Sequence, residues 1–466
     1  MKDMTKGKIA PQIAGFAVPL VLGNLFQLCY NAADSIIVGK FVGTEALAAV
    51  GSSNPLMTFA ILFINGMCMG ASILMGMQFG AGRMERLRKQ ISTTMIGGCV
   101  FSLVLSMLCI AGAPWLLRLI QVQEELIPLA SQYLRIVFAG LVFTFIYNFY
   151  ANTLRALGDS TTPVYFLVIA SVLNVFGDLF FVLVFHMGSA GCALATVISQ
   201  ACCSLFCGRY IRKKVKILCL GKDWLFFDKS QFAETIRYGW ASAMQQASVQ
   251  LGKIGIQVIV NTMGVSVVAA FAAVNRIDDF AIVPQQSIAS AMTSFMAQNY
   301  GAGEKKRIWK GFRWGMVMEV LYGLLIGVAC IFGADFFMKL FVNDQEVIQL
   351  GRSYLHLIAF IYILPAVTNG VQGYFRGIGD LKVTLWSSIM NMGFRVLSAL
   401  PLVYSLHMGI RALPVAYLLG WIAMLLFELP AFEKNQGKSK NRIKITKRKI
   451  LSLKRKFIQE VAACHY

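Results

Sequence analysis

S-V-L-N-V-F-G-D-L-F-F, residues Ser171 to Phe181, places Asn174 and Asp178 inside an apolar run long enough to cross a membrane. The i, i+4 spacing puts the amide and the carboxylate on one helical face, one turn apart. An ionisable group in such a run is costly to bury and marks a functional position by default. A second acid, Asp34 in Y-N-A-A-D-S-I-I-V, has similarly apolar surroundings.

The flanking sequence repeats this character throughout. Of 466 residues, 57% are hydrophobic and only 14% charged, and the charges collect between apolar blocks of roughly 20 to 25 residues, the length that spans a bilayer. The composition implies an all-α polytopic membrane protein and argues against a soluble enzyme. Twelve spans are predicted, over residues 13–38, 53–77, 91–112, 130–153, 163–185, 188–208, 235–260, 267–297, 311–333, 353–374, 384–405 and 409–430. The first is too long for a signal-peptide core and is expected to stay as a membrane helix.

A net charge of +21 could suggest nucleic acid, yet Lys and Arg lie in inter-helix loops and the tail, not along one helical face. Basic clusters at Lys2 to Lys8, Arg83 to Lys89, Arg209 to Lys216 and Lys305 to Lys310 alternate with loops poor in Lys and Arg. By the positive-inside rule both termini face the cytoplasm. The 11 cysteines lack paired metal-ligand spacing and read as small buried hydrophobes.

The chain also repeats itself. Gly80-Ala81-Gly82 recurs as Gly301-Ala302-Gly303, an offset of 301 − 80 = 221, and the same offset carries Phe59-Ala60-Ile61 onto Phe280-Ala281-Ile282. Arg155, Gly158 and Asp159 fall on Arg376, Gly379 and Asp380, and His186-Met187-Gly188 on His407-Met408-Gly409. Two six-helix halves in the same orientation are a parallel-repeat transporter architecture. The expected division is an amino-terminal lobe (1–216), a cytoplasmic linker (217–233), a carboxy-terminal lobe (234–433) and a basic cytoplasmic tail (434–466), which either contacts anionic lipid or is simply solvated.

Depth estimates at 1.5 Å per residue put Asp34, Asn174, Asp178 and Thr196, from three helices of one half, within roughly 17 Å of the outer face. Two carboxylates sharing a low-dielectric pocket suit a proton site, and the same all-oxygen set suits Na⁺. The offset carries Asn174, Asp178 and Thr196 onto Arg395, Ala399 and Tyr417, and Asp34 onto Gly255. The second half lacks acids there, so a coupling site acts once per molecule. Arg395 needs a partner, and an ion pair with Asp278 or Asp279 is expected, with substrate contact as the alternative. Glu319 is expected near the interface. The motifs Gly66-x-x-x-Gly70 and Gly76-x-x-x-Gly80 read as helix packing. The 22 Met and 34 Phe residues would also suit an adaptable cavity wall. No phosphate-binding loop for ATP and no catalytic constellation is present, so an ion gradient is the expected energy source.

These residues resemble the multidrug and toxic compound extrusion (MATE) transporters across nearly all of Thr5 to Pro430. The resemblance rests on L-G-N-L-F-Q-L-C-Y-N-A-A-D-S-I-I-V-G-K-F-V-G (Leu22 to Gly43), the following E-A-L-A-A-V-G, the paired Q-F-G-A-G and Q-N-Y-G-A-G, and L-R-A-L-G-D-S-T-T-P. It implies a V-shaped, twelve-helix, two-lobed transporter that exchanges organic, often cationic, compounds for H⁺ or Na⁺ by alternating access. It needs no other cofactor and is expected as a monomer in a prokaryotic plasma membrane. By local motif the family's amino-terminal ion site corresponds to Asp34, Asn174, Asp178 and Thr196. The seventh helix departs from the family, with Gly239-Trp240-Ala241 in place of a Gly-x-Pro. It also carries Gln245 and Gln246 where some relatives have an acidic ligand. The alternatives are a lipid-linked oligosaccharide flippase of the same superfamily, disfavoured because the membrane-embedded charge of the first half is acidic, and a channel.

Overall fold

A computed structural model describes residues 2–37, 41–215 and 226–435, apart from the side chains of 31–36, 44 and 47. The joining segment 216–225 and the tail beyond 435 lie outside them. The described residues form fourteen helices and no strand: α1 (Ile9–Ile37), α2 (Thr44–Gly80), α3 (Met84–Leu119), α4 (Ile127–Ala139), α5 (Leu141–Ala156), α6 (Thr161–Leu179) and α7 (Gly188–Lys214), then α8 (Lys229–Asn261), α9 (Val265–Gly301), α10 (Lys305–Lys339), α11 (Gln345–Ile361), α12 (Ile363–Gly377), α13 (Leu381–Tyr404) and α14 (Gly409–Asn435). Each predicted span falls on one helix or on a bent pair. The pairs α4–α5 and α11–α12 bend by 45° and 48°, so that fourteen helices make twelve crossings.

Seven helices are long and apolar enough to cross by themselves, nine when each bent pair counts as one crossing. Those falling short are α8, α9 and α13, which carry Lys253, Arg276, Asp278, Asp279, Lys382 and Arg395. Of these, Asp278 and Arg395 are buried between helices, whereas Lys253, Arg276 and Lys382 are exposed.

The repeat is written into the backbone. Left-handed residues at Gly43, Gly82, Gly158, His186 and Gly188 recur at Gly264, Gly303, Gly379, His407 and Gly409. A helix can stop and reverse sharply there because glycine carries no Cβ to clash at positive φ. Each lobe has its own core. In the first, Ile64, Phe138, Phe145 and Phe149 are among the buried residues; in the second, Phe271, Tyr354, Tyr362 and Trp421 are.

A third core crosses between the lobes. Ile13, Phe16, Ala17 and Leu20 of α1 pack with Met292, Phe295, Phe312 and Phe375 of α9, α10 and α12. The lobes also meet through small residues of α2. A methyl group on Gly70 would fall 2.4 Å from the Gly239 nitrogen, and one on Gly66 would fall 2.6 Å from the Ala243 Cβ. At the end of the molecule holding the amino terminus the contact is reciprocal. A methyl on Gly80 would lie 1.8 Å from the Gln298 carbonyl oxygen, and one on Gly301 would lie 1.8 Å from that of Met77. Met77 and Gln298 are themselves related by the repeat offset, so α2 and α9 cross about a local pseudo-two-fold.

The amino-terminal segment seals this crossing. Lys2 N donates to Gly158 O (3.3 Å) of the first lobe, and Met4 N donates to Gln298 Oε1 (3.0 Å) of the second. Gln298 Nε2 returns to the first lobe at Ala156 O (2.8 Å). The Arg307 guanidinium donates to the carbonyls of Met4 (2.9 Å) and Gly7 (2.8 Å) and to Gln12 Oε1 (3.1 Å), and its Nε to Asn299 Oδ1 (3.1 Å). Met4 is 2% exposed as a result. Gly80→Val, which cannot fit at the crossing, should open this end. In a background lacking native cysteines, Met4→Cys should then react about tenfold faster with a membrane-impermeant maleimide, a shift of about 1.4 kcal/mol in the opening equilibrium. Unchanged reactivity would mean that the crossing does not hold the closure.

Candidate functional site

Close helix packing assembles the first-lobe site. A methyl on Gly23 of α1 would lie 2.8 Å from Val164 of α6, and one on Gly177 of α6 would lie 3.0 Å from Ala195 of α7. These small residues let the backbones approach, so short polar side chains on neighbouring helices can touch. Asn174 Nδ2 donates to Thr196 Oγ1 (3.2 Å), and Thr196 Oγ1 donates to Cys192 O (3.0 Å). Asn174 is 1% exposed, and Asp178, one turn further on the same face, is fully buried. Directly beyond it the helix loosens into a π-helical turn, Phe180–Val184, a feature common at functional positions because it re-aims side chains. Asp34 is on α1, which packs on α6, but its side chain lies outside the described residues.

The repeat-related positions in the second lobe also touch, with different chemistry. The Arg395 guanidinium stacks 3.8 Å from the Tyr417 ring centroid and 4.9 Å from that of Trp421. Thus Asn174–Thr196 and Arg395–Tyr417 are one contact, written once as a hydrogen bond and once as a cation–π pair. Gly255, the counterpart of Asp34, lies against Val396 of α13.

The predicted ion pair of Arg395 with Asp278 or Asp279 is not formed. Asp278, 7% exposed, accepts a hydrogen bond from the Tyr362 hydroxyl at the α11–α12 bend. Asp279 faces Lys253 of α8 at 3.8 Å, with both side chains partly exposed. Arg395 satisfies its charge on aromatic faces instead, which exact no ionic desolvation of a second partner.

Gln245 belongs to a buried network. Its Nε2 donates to Gln372 Oε1 (2.6 Å) and Ser388 Oγ (3.2 Å), and Arg376 Nη2 donates to the same Gln372 oxygen (2.7 Å). Glu428 on α14, fully buried, faces Ser387, Gln372 and Arg376. Gln246, the next residue after Gln245, is half-buried. Glu319, expected near the interface, is fully buried against α9 at Ala289. The second lobe therefore has buried acids of its own at Asp278, Glu319 and Glu428, at positions unrelated to those of the first lobe. The sequence signal for Glu428 was available, since it interrupts the apolar run M-L-L-F-E-L-P just as Asp178 interrupts its own. Among the described residues, which exclude the Asp34 side chain, no group of three or more His, Cys, Asp or Glu side chains could hold a metal ion.

The family profile MatE matches residues 19–180 and 241–400, once in each half. The probable multidrug resistance protein YpnP of Bacillus subtilis is 30% identical over 84% of this chain and 87% of its own length. YoeA of the same organism, also described as a probable multidrug resistance protein, is 30% identical over 81% and 82%. A crystal structure of a MATE protein in complex with MaL6 superposes with a TM-score of 0.86 at 23% identity, covering 94% of this chain and 99% of that one.

Removing the Tyr362 hydroxyl with Tyr362→Phe should cost about 1.5–3 kcal/mol of unfolding free energy, because it strips a donor from a buried carboxyl. Thermal unfolding in detergent, with wild type and Tyr354→Phe as references, measures this. A loss below about 0.5 kcal/mol, the size of an ordinary surface change, would mean that Asp278 does not depend on that bond.

Proposed function

Because the chain belongs to the MatE family of transporters, we propose that it is an antiporter exporting organic, mainly cationic, drugs or toxic compounds in exchange for H⁺ or Na⁺. The observation that carries this reading is the buried Asp178, one turn from the Asn174–Thr196 hydrogen bond, in the apolar run of α6. A carboxylate there favours a cation nearby, and binding H⁺ or Na⁺ cancels that charge, so the two cations compete for one negative site. The names of the B. subtilis relatives support a multidrug substrate class.

Coupling to the lobes follows from α1. Its first three turns are packed into the second lobe through Ile13, Phe16, Ala17 and Leu20, while its distal part carries Asp34. Pro19 lies near the end of the packed stretch, one residue before Leu20. A proline removes one helical hydrogen bond and gives the helix a place to bend. In this reading a change of charge at Asp34 and Asp178 alters how α1 lies against α6, and the bend passes the change to the cross-lobe core.

The basic loops support a topology with both termini in the cytoplasm of a prokaryotic cell, in which the closed end described above faces inward and the first-lobe acids lie toward the outer face. A flippase for a polyanionic lipid-linked sugar would meet the membrane-embedded acids Asp34 and Asp178 of the first lobe, which oppose that substrate. Asp178→Asn should abolish gradient-driven efflux of a fluorescent organic cation from proteoliposomes while leaving membrane insertion intact. Imposing pH and Na⁺ gradients separately identifies the ion. Normal uphill efflux by this variant would sink the assignment, and purely downhill flux by the wild type would indicate a channel.

A further inference from the structure

At the closed end, a groove of about 490 Å³ runs between the start of α1 and the start of α10, lined by Lys8, Ile9, Pro11, Lys306, Lys310 and Trp314 beside the Arg307 clasp. No acidic residue lines it. Arg307 is consumed by its bonds to the amino-terminal segment, whereas Lys8, Lys306 and Lys310 are exposed and form no ion pair among the described residues. Three unneutralised ammonium groups therefore converge on one depression.

The surroundings give this charge a depth. Lys306, Lys310 and Trp314 follow each other at i, i+4 on one face of α10, and the exposed face continues as Val317, Leu321, Leu324, Leu325 and Val328. On α1 the exposed face runs from Pro11 through Gly15, where an added methyl would meet nothing within 4 Å, to Val18 and Leu22. From Lys306 to Leu321 is roughly 22 Å along the helix, about one leaflet of a bilayer. Lysines at the headgroup level, an indole at the interface and apolar side chains below match the profile of one phospholipid.

We propose that this groove binds the phosphate headgroup of an anionic phospholipid, its acyl chains lying along the exposed faces of α1 and α10. The two walls are held together by the Arg307 clasp on the amino-terminal segment, so the site is complete only while that clasp is closed, and the lipid favours that arrangement. A free phosphate would use the lysines and leave the apolar faces unused. The proposal rests on the topology given above only in naming the cytoplasmic leaflet, and lipid binding is read without transport, so either reading can fail alone.

Delipidated protein is titrated with phosphatidylglycerol, phosphatidylcholine or inorganic phosphate and bound species are counted by native mass spectrometry. Phosphatidylglycerol should bind at least about tenfold more tightly than phosphatidylcholine. Changing Lys8, Lys306 and Lys310 together to Ala should remove that preference, and changing them to Arg should keep it. In nanodiscs, phosphatidylglycerol should slow maleimide labelling of Met4→Cys about threefold relative to phosphatidylcholine, and the Ala variant should lose the difference. Equal binding of the two lipids by wild type, an undiminished preference in the Ala variant, or inorganic phosphate binding as tightly as the lipid would overturn the site. Labelling insensitive to lipid would overturn its link to closure.

Discussion

Two carbonyl oxygens and two missing side chains determine how the lobes of this protein meet. At Gly80 and Gly301 the backbones of α2 and α9 come so close that a single methyl on either would collide with a carbonyl at 1.8 Å. In hydrocarbon there is no hydrophobic gain from joining apolar helices, so association rests on close van der Waals approach and on hydrogen bonds. Small residues supply the first along α2, at Gly66, Gly70 and Gly80. The amino-terminal segment supplies the second, with Gln298, Asn299 and Arg307 of the second lobe gathering the carbonyls of Met4 and Ala156. Contacts of this kind can be made and broken without exposing a large apolar core to water, which suits a joint between lobes that move.

The first helix ties this joint to the polar site. Its early turns pack on the second lobe, to which Asn24 also donates at Ser287 Oγ, and it packs as well on α6, the helix of Asn174 and Asp178. One helix therefore touches both lobes. In the proposed cycle, that shared helix is the route from a buried acid in one lobe to the closure.

Duplication explains why the lobes share a frame and differ in chemistry. Left-handed turns recur at the same offset in both halves because helix length and reversal must match for either half to span the bilayer. The side chains are freer to diverge. Asn174 bonds Thr196, while their counterparts Arg395 and Tyr417 stack. Removing the acids at the equivalent positions did not leave the second lobe without carboxyls, since Asp278, Glu319 and Glu428 are buried elsewhere in it. An argument from the repeat alone, that acidic chemistry is confined to one lobe, holds for those positions and not for the lobe.

The twelve crossings, the repeat and the family were legible in the sequence, because a hydrocarbon solvent forces apolar runs of fixed length and penalises each charge that interrupts them. The same logic picked out Asn174, Asp178 and Thr196, and an i, i+4 spacing was enough to place the first two together. Partners across helices were not legible. Whether Arg395 meets Asp278, Asp279 or an aromatic ring depends on helix rotation and on the bend at Tyr362, which no local pattern encodes. Nor does spacing reveal that Gly80 and Gly301 face each other's helices, or that Met4 is buried between lobes. Sequence determined what must be hidden from lipid, and tertiary structure decided which hidden groups touch, because contact depends on the angles at which separate helices cross.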